Sequence, residues 1–172
     1  MLYMVEMEMP DRSRLAEWHD WYLNHIKKLL TVDGYYASQR FEAVVPRAAP
    51  FLAVHDVIGP ELFEGQSYRT VGGPSGTGAW RDIMTNWSRN LYDGCEAMPE
   101  VGPDEKLVLV DDAAKLPAAF SARAVWLDSI GLDRNIPKRG FFTLAAGEDH
   151  AALASAGLDI FKPITGKLRS TA

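Results

Sequence analysis

The densest group of side chains capable of chemistry lies between Trp18 and Ile26. If this segment is a helix, His25 lies between Trp18 and Trp21 at one margin of the apolar stripe. An imidazole titrates near neutral pH, and burial beside aromatic rings can tune it. His25 is therefore a candidate general acid or base, and the alternative is a packed histidine bonded to a backbone carbonyl.

The other histidine of this segment, His19, falls on the opposite margin of the stripe. Two histidines that bind one metal ion on a helix are usually spaced i and i+4, and His19 and His25 do not share a face. The chain also contains no Gly-x-Ser-x-Gly motif, no dinucleotide-binding fingerprint and no pair of cysteines. We therefore expect no metal site and no cofactor.

A predicted strand over residues 35–44 places four polar side chains on one face, which should point to a pocket or to solvent. These are Tyr36, Ser38, Arg40 and Glu42. The planar guanidinium of Arg40 could hold a carboxylate, a phenolate or an enolate, or it could pair with Glu42 or Glu6. Tyr36 is the tyrosine of this face that could help to hold the same anion.

Aromatic side chains and a second histidine are candidates for the walls of a ligand site. His55 lies on a predicted strand over residues 51–58 and could reach a pocket, although a satisfied structural histidine is the simpler interpretation. Trp80 and Trp87 could cover an apolar ligand or belong to the core. The candidate substrate-binding residues are Trp18, Trp21, Tyr22, His55, Trp80 and Trp87.

The elements that must position these residues follow a β-α-β-β order in the first half of the chain. An alternating strand over 2–9 precedes a helix that starts at Pro10 and Asp11 and ends before Gly34, and two strands follow. A short helix is predicted over 61–68 and an amphipathic helix over 79–92. The glycine-rich stretch 72–78 lacks the Lys-Ser/Thr of a phosphate-binding loop, so we interpret it as a mobile loop or lid.

The second half roughly repeats this order. A strand over 107–110, a helix from Pro117 to Gly131, strands over 140–145 and 158–164 and a short helix over 148–155 are predicted. We therefore expect one α+β domain over 1–172, made of two ferredoxin-like halves in tandem at about 1–98 and 104–168. Their helices should lie outside, and their open antiparallel sheets should enclose a small apolar pocket. Two such chains could pair as a homodimer.

Composition narrows the functional classes. The chain has 172 residues, is 47% hydrophobic and carries a net charge of −5 without a basic block, which argues against nucleic acid and anionic membranes as partners. Cys95 is the single cysteine, so no intramolecular disulfide can form and a reducing compartment fits best. With no secretory signal pattern and no bilayer-length apolar run, we expect a cytoplasmic protein.

Several short motifs carry a family resemblance. They are the runs 21–26, 32–35, 39–41, 50–54 and 60–61, with a later aromatic segment at Trp80 and 89–92. In these motifs the first 95 or so residues resemble bacterial EthD-like proteins of the dimeric α+β barrel superfamily. The resemblance implies a cleft in which His25 faces bound ligand. His55 stands where an aromatic residue is commoner in that family.

The resemblance leaves the reaction open, because the superfamily includes muconolactone isomerisation, dehydration, cofactor-independent oxygenation and haem breakdown. Our first hypothesis is a cofactor-independent lyase or isomerase of a small aromatic or lactone-type catabolic intermediate. In it His25 moves a proton, and Arg40 or a tyrosine such as Tyr36 holds the developing anion. The alternatives are a noncatalytic small-molecule binding or accessory protein of a catabolic operon, and a haem-binding or quinol-forming oxygenase.

Overall fold

The computed structural model describes residues 1–171, without the side chains at positions 74 and 75. Nine strands form one sheet whose neighbours are paired antiparallel. The strands are β1 Leu2–Glu8, β2 Tyr35–Ala43, β3 Phe51–Val57, β4 Thr85–Asp93, β5 Lys106–Val110, β6 Val125–Leu132, β7 Lys138–Leu144, β8 Asp159–Pro163 and β9 Leu168–Arg169. The α-helices are α1 Leu15–Leu29, α2 Glu61–Glu64, α3 Gln66–Val71, α4 Gly73–Thr77 and α5 Ala151–Ser155.

The sheet closes into a barrel. Its strand order is β3-β1-β4-β6-β7-β5-β8-β2, and pairing of β2 with β3 completes the ring, while β9 adds to β2 outside it. Strands β1 to β4 and β5 to β8 each run in the order fourth, first, third, second, and the two groups meet at β4–β6 and β2–β8. The chain is therefore a mixed α+β protein built on a closed antiparallel barrel.

The barrel interior is filled with side chains. The alternation of β1 directs Leu2, Met4 and Glu6 inward, and the other strands contribute large apolar groups that are 0–2% exposed. These include Phe41, Leu52, Val54, Tyr92, Leu107, Leu109, Leu127, Phe141 and Phe161. The prediction of an apolar pocket between the sheets is therefore wrong, because side chains from both strand groups fill that space.

One end of the interior is ionic rather than apolar. Arg139, whose side chain is fully buried, bonds to both oxygens of Asp111, through Nε at 2.6 Å and Nη2 at 2.7 Å, and also to Glu6. Arg47 extends the network to Glu6 at 2.9 Å and to Asp159 at 3.3 Å. Glu6 lies on the inward face of β1 and pairs with both arginines, Arg139 of β7 and Arg47 of the loop between β2 and β3.

Helix α1 covers the outer face of the first four strands, as its apolar stripe predicts. Trp18, Tyr22, Ile26 and Leu29 are buried against Tyr3, Val5 and Met7 of β1 and against neighbours on β3. The carboxylate of Asp11 caps a short 3-10 turn before the helix. Gly34, at φ +87°, makes the turn that follows it.

Two predicted helices are wrong. Residues 79–92 form a 3-10 turn, Gly78–Asp82, followed by β4, and residues 117–131 form a 3-10 turn, Ala118–Arg123, followed by β6. Strands β4 and β6 pair with each other and close the barrel, so the pairing of strands distant in sequence overrides the local helical spacing. The glycine-rich stretch expected as a loop folds mainly into α4.

Candidate functional site

A cleft outside the barrel collects most of the candidate residues. Its floor is the outer face of β1, β3 and β4, one wall is α1, and the other wall is the segment from α3 to the end of α4. The inner part of this cleft has a volume of only about 30 Å³. It is lined mainly by aromatic rings and imidazoles, among them Tyr3, Trp21, Tyr22, His25, His55, Tyr68 and Trp87.

His25 forms the boundary between this inner cavity and the surface. Its ring stacks on Trp21, with centroids 5.2 Å apart and planes 11° apart, and meets Tyr22 edge-on at 6.1 Å. The same imidazole also lines an outer cavity of about 240 Å³ with Asn24 and Lys28. Gly76 of α4 approaches it so closely that a Cβ there would lie 3.0 Å from His25 Cε1. His25 therefore borders both the inner cavity and the surface cavity.

Both imidazoles of the cleft are neutral at physiological pH. Burial, helped by the charge of Lys28, lowers the pKa of His25 to about 4. Burial, with the nearby His25 and Arg40, lowers the pKa of His55 to about 3. His55 is 1% exposed and its ring lies 5.2 Å from those of both Tyr3 and Tyr35. A neutral imidazole has a nitrogen lone pair free to accept a proton.

A larger cavity of about 290 Å³ adjoins the inner one and provides room for a ring-sized molecule. The two cavities share Gly73, Thr77, Trp87 and Arg89 as lining residues. The larger one also contacts Arg81, Met84 and Asp133, with Arg89 Nη2 at 3.5 Å from Asp133. Two arginines and one aspartate therefore surround the wider end of the cleft.

The phenols of the cleft stay protonated. Burial raises the pKa of Tyr22 to about 12, although Arg40 opposes the shift. Burial and neighbouring tyrosines raise the pKa of Tyr3 and of Tyr35 well above the ordinary value. These hydroxyl groups therefore act as hydrogen-bond donors at physiological pH, not as phenolates.

Arg40 is a buried cation without a carboxylate partner among the residues that the structure describes. It is 3% exposed, and its guanidinium lies over the rings of Tyr22 at 4.1 Å and Trp18 at 4.7 Å. Burial lowers its pKa to about 10, so it stays charged. The predicted pairs with Glu42 and Glu6 do not form, because Glu42 bonds to Lys162 and Glu6 faces the barrel interior.

Tyr36 does not belong to the cleft. The pairing of β2 with β3 shifts between Tyr35 and Ala37, and this bulge inserts Tyr36 as an extra residue that is 50% exposed. Tyr35 takes its place on the outward face and contacts His55. Strict alternation predicts the wrong tyrosine here, because no residue type in this stretch marks the bulge.

The remaining predicted residues separate into cavity walls and core. Trp21, Tyr22, His55 and Trp87 line the inner cavity with His25. Trp18 is fully buried and its indole donates to Met84 Sδ at 3.2 Å, while Trp80 is 7% exposed and packs against Trp21 at 5.9 Å. Three neighbours of the site are not predicted from the sequence, namely Tyr3, Tyr35 and Tyr68. Their only signal is an outward position on strands or on the short helix α3.

The described part of the chain contains neither a membrane-spanning helix nor a cluster of metal ligands. No helix within 1–171 has both the length and the apolar character to cross a bilayer. No group of three His, Cys, Asp or Glu side chains in the described chain is placed to hold a metal ion.

Comparison with known proteins identifies a solved structure with a similar fold. The structure is similar to a solved structure described as an anthrone oxidase-like protein, with a TM-score of 0.56 over 99% of this chain and 94% of that chain. The shared architecture is an α+β barrel. The two sequences are 11% identical, so the likeness extends to the fold alone. No protein-family model matches the sequence, and no curated protein matches it.

Proposed function

We propose that this protein is a cofactor-independent enzyme that moves a proton on a small aromatic or lactone-type molecule, as a lyase or an isomerase. The observation that carries the proposal is His25, a neutral imidazole stacked on Trp21 at the boundary of an aromatic cavity. In the proposed reaction His25 accepts a proton from carbon. It returns the proton to another carbon of the substrate in an isomerisation, or to the departing group in an elimination.

The surroundings of His25 support this role. The inner cavity is mostly aromatic, and burial there keeps the free imidazole unprotonated while weakening it as a base. Tyr22 and His55 are placed around the same cavity and can donate hydrogen bonds to a developing oxyanion. The adjoining space of about 290 Å³ fits a molecule of one or two rings.

The experiment compares His25→Ala and His25→Gln with the unaltered protein on a panel of aromatic and lactone substrates. We expect kcat to fall by about 10² to 10⁴, the usual contribution of a positioned acid or base. His150→Ala, a histidine that precedes α5 in the other half, is the matched control and should keep full activity. Unchanged turnover in both His25 variants would remove this residue from the mechanism.

The anthrone oxidase-like structural neighbour favours a second candidate, cofactor-independent oxygenation. The first step would be the same, because His25 would remove a proton to leave a carbanion, which then reacts with dioxygen. Oxygen consumption during turnover distinguishes this reaction from an isomerisation or an elimination, neither of which consumes oxygen.

We also propose that the chain is an EthD-like protein whose two strand groups are diverged ferredoxin-like halves. The common strand order of β1 to β4 and β5 to β8 supports this origin.

The single cysteine supports a cytoplasmic location. We propose a homodimer as the working assembly, and sedimentation of the purified chain is the direct check.

A further inference from the structure

Four polar side chains on the outward face of β2 and β3 each have a buried atom without a hydrogen-bond partner in the described part of the chain. The atoms are Tyr35 Oη, Ser38 Oγ, Arg40 Nη2 and His55 Nδ1, and the residues are 0–3% exposed. A buried polar group without a partner destabilises the folded state. Such groups are rare in folded proteins, so several on one patch call for a functional explanation.

These four groups form one patch. Ser38 is opposite His55 in the ladder, and such partners have Cβ atoms about 4.5–5.5 Å apart. The ring of Tyr35 is 5.2 Å from that of His55. Arg40 is two residues along β2 from Ser38 and therefore lies on the same face. We call this set the polar patch.

The charge of the polar patch is positive and uncompensated. The rings of Trp18 and Tyr22 stabilise the Arg40 guanidinium, but they offset only part of the cost of burying an ion. Glu42, the next outward residue of β2, is bonded to Lys162 at 3.1 Å. Within residues 1–171 no carboxylate is bonded to any member of the polar patch, so its buried cation and unpartnered polar groups have the chemistry of an anion receptor.

The polar patch lies at the closed end of the cleft. His55 and Tyr22 both line the inner cavity, and the guanidinium of Arg40 rests on the Tyr22 ring. Access of an anion to Arg40 would therefore require the Tyr22 ring to turn aside. At the wide end, the two positive charges of Arg81 and Arg89 exceed the one negative charge of Asp133. The electrostatic potential of these three residues therefore favours entry of an anion.

We propose that the polar patch binds the anionic group, a carboxylate or a phenolate, of a small aromatic ligand. Arg40 is its ionic partner, and Tyr35, Ser38 and His55 are hydrogen-bond donors to its oxygens. This inference rests on the proposed function and names its substrate class as an aromatic anion. The aromatic ring of the ligand would extend toward the larger cavity, past His25.

The test is a titration of tryptophan fluorescence with benzoate and with benzamide, its uncharged analogue of the same shape. The unaltered protein should bind benzoate on the order of tenfold or more tightly than benzamide, the range expected for a charge-assisted contact. Arg40→Met should lose that preference and keep its affinity for benzamide. Arg123→Met, an exposed arginine paired with Glu148, is the matched control and should behave as the unaltered protein does.

Two further variants keep the test decisive if Arg40→Met fails to fold. Ser38→Ala should weaken benzoate binding several-fold without affecting benzamide. His25→Ala should keep benzoate binding while losing turnover, so failure of the proposed reaction and failure of this inference are distinguishable. Equal affinities for benzoate and benzamide in the unaltered protein, or a preference that survives both Arg40→Met and Ser38→Ala, would overturn the proposal and leave the patch to water.

Discussion

Tyr35 shows at the scale of a single residue how the site differs from an ordinary core. The bulge in β2 buries its phenol to 1% exposure, yet the hydroxyl has no partner among residues 1–171. Burial raises the pKa of this phenol well above the ordinary value, so it remains a donor. A phenylalanine would fill the same space without the cost of burying an unpartnered hydroxyl.

Tyr35→Phe should therefore stabilise the protein and weaken its binding of anions. We expect the free energy of unfolding to rise by about 1 kcal/mol in urea and the affinity for benzoate to fall several-fold. Tyr36→Phe is the matched control, because Tyr36 is half-exposed and should change neither quantity. A loss of stability in Tyr35→Phe would mean that its hydroxyl has a structural partner.

At the scale of elements, the sequence predicts what is locally encoded. The apolar stripe of α1 predicts its buried face, although the predicted start at Pro10 and Asp11 gives a 3-10 turn, Arg12–Arg14, before the helix begins at Leu15. The same helix carries His25, Trp21 and Tyr22. The strands β1, β2, β3, β5, β7 and β8 also lie where alternation and turn residues place them. Part of the site is predictable because a single helix supplies it.

The elements that the sequence predicts wrongly are those that only the closed barrel explains. In β4, Trp87 and Leu91 are four residues apart, which suggests a helix, but their outward positions alternate with the inward Ser88 and Asn90. In β6, Leu127 points into the barrel beside Tyr92 of β4. Whether such a segment is helical depends on the open strand edges beside it, which only the complete fold supplies.

The polar patch is predicted in part. Alternation places Ser38 and Arg40 on one face of β2, and Arg40 is identified as an anion-binding candidate from its chemistry alone. The bulge that exchanges Tyr36 for Tyr35 has no sequence signature, and neither does the covering of Arg40 by two rings of α1. The cavity lies between α1 and the barrel because side chains from both strand groups fill the barrel interior. That packing cannot be predicted from either strand group alone.

At the scale of the whole molecule, the ionic end of the barrel connects the two strand groups. Arg139 of β7 bonds to Glu6 of β1 and to Asp111 after β5. Burial opposes the charge, but the bonds to Asp111 and the charge of Glu6 raise the pKa of Arg139 above its ordinary value. Arg139 therefore remains charged.

Arg139→Met should destabilise the whole barrel. Removing one partner leaves Glu6 buried without this arginine, and we expect a loss of about 3–5 kcal/mol in the free energy of unfolding. Arg123→Met removes an exposed ion pair with Glu148 and should cost about 1 kcal/mol or less. Equal effects of the two substitutions in urea unfolding would show that the network does not hold the halves together.

An NMR titration of the His25 ring tests directly whether the cleft holds a neutral imidazole. Burial of the ring, helped by the charge of Lys28, predicts a pKa of about 4, compared with the ordinary value of 6.5. Because the unfolded chain binds this proton first, folding stability should decrease as the pH falls from about 6.5 toward 4. A titration midpoint near 4 supports a neutral imidazole in the cleft. A midpoint near 6.5 would mean that the ring is in water, and His25 would then not be a buried, neutral imidazole.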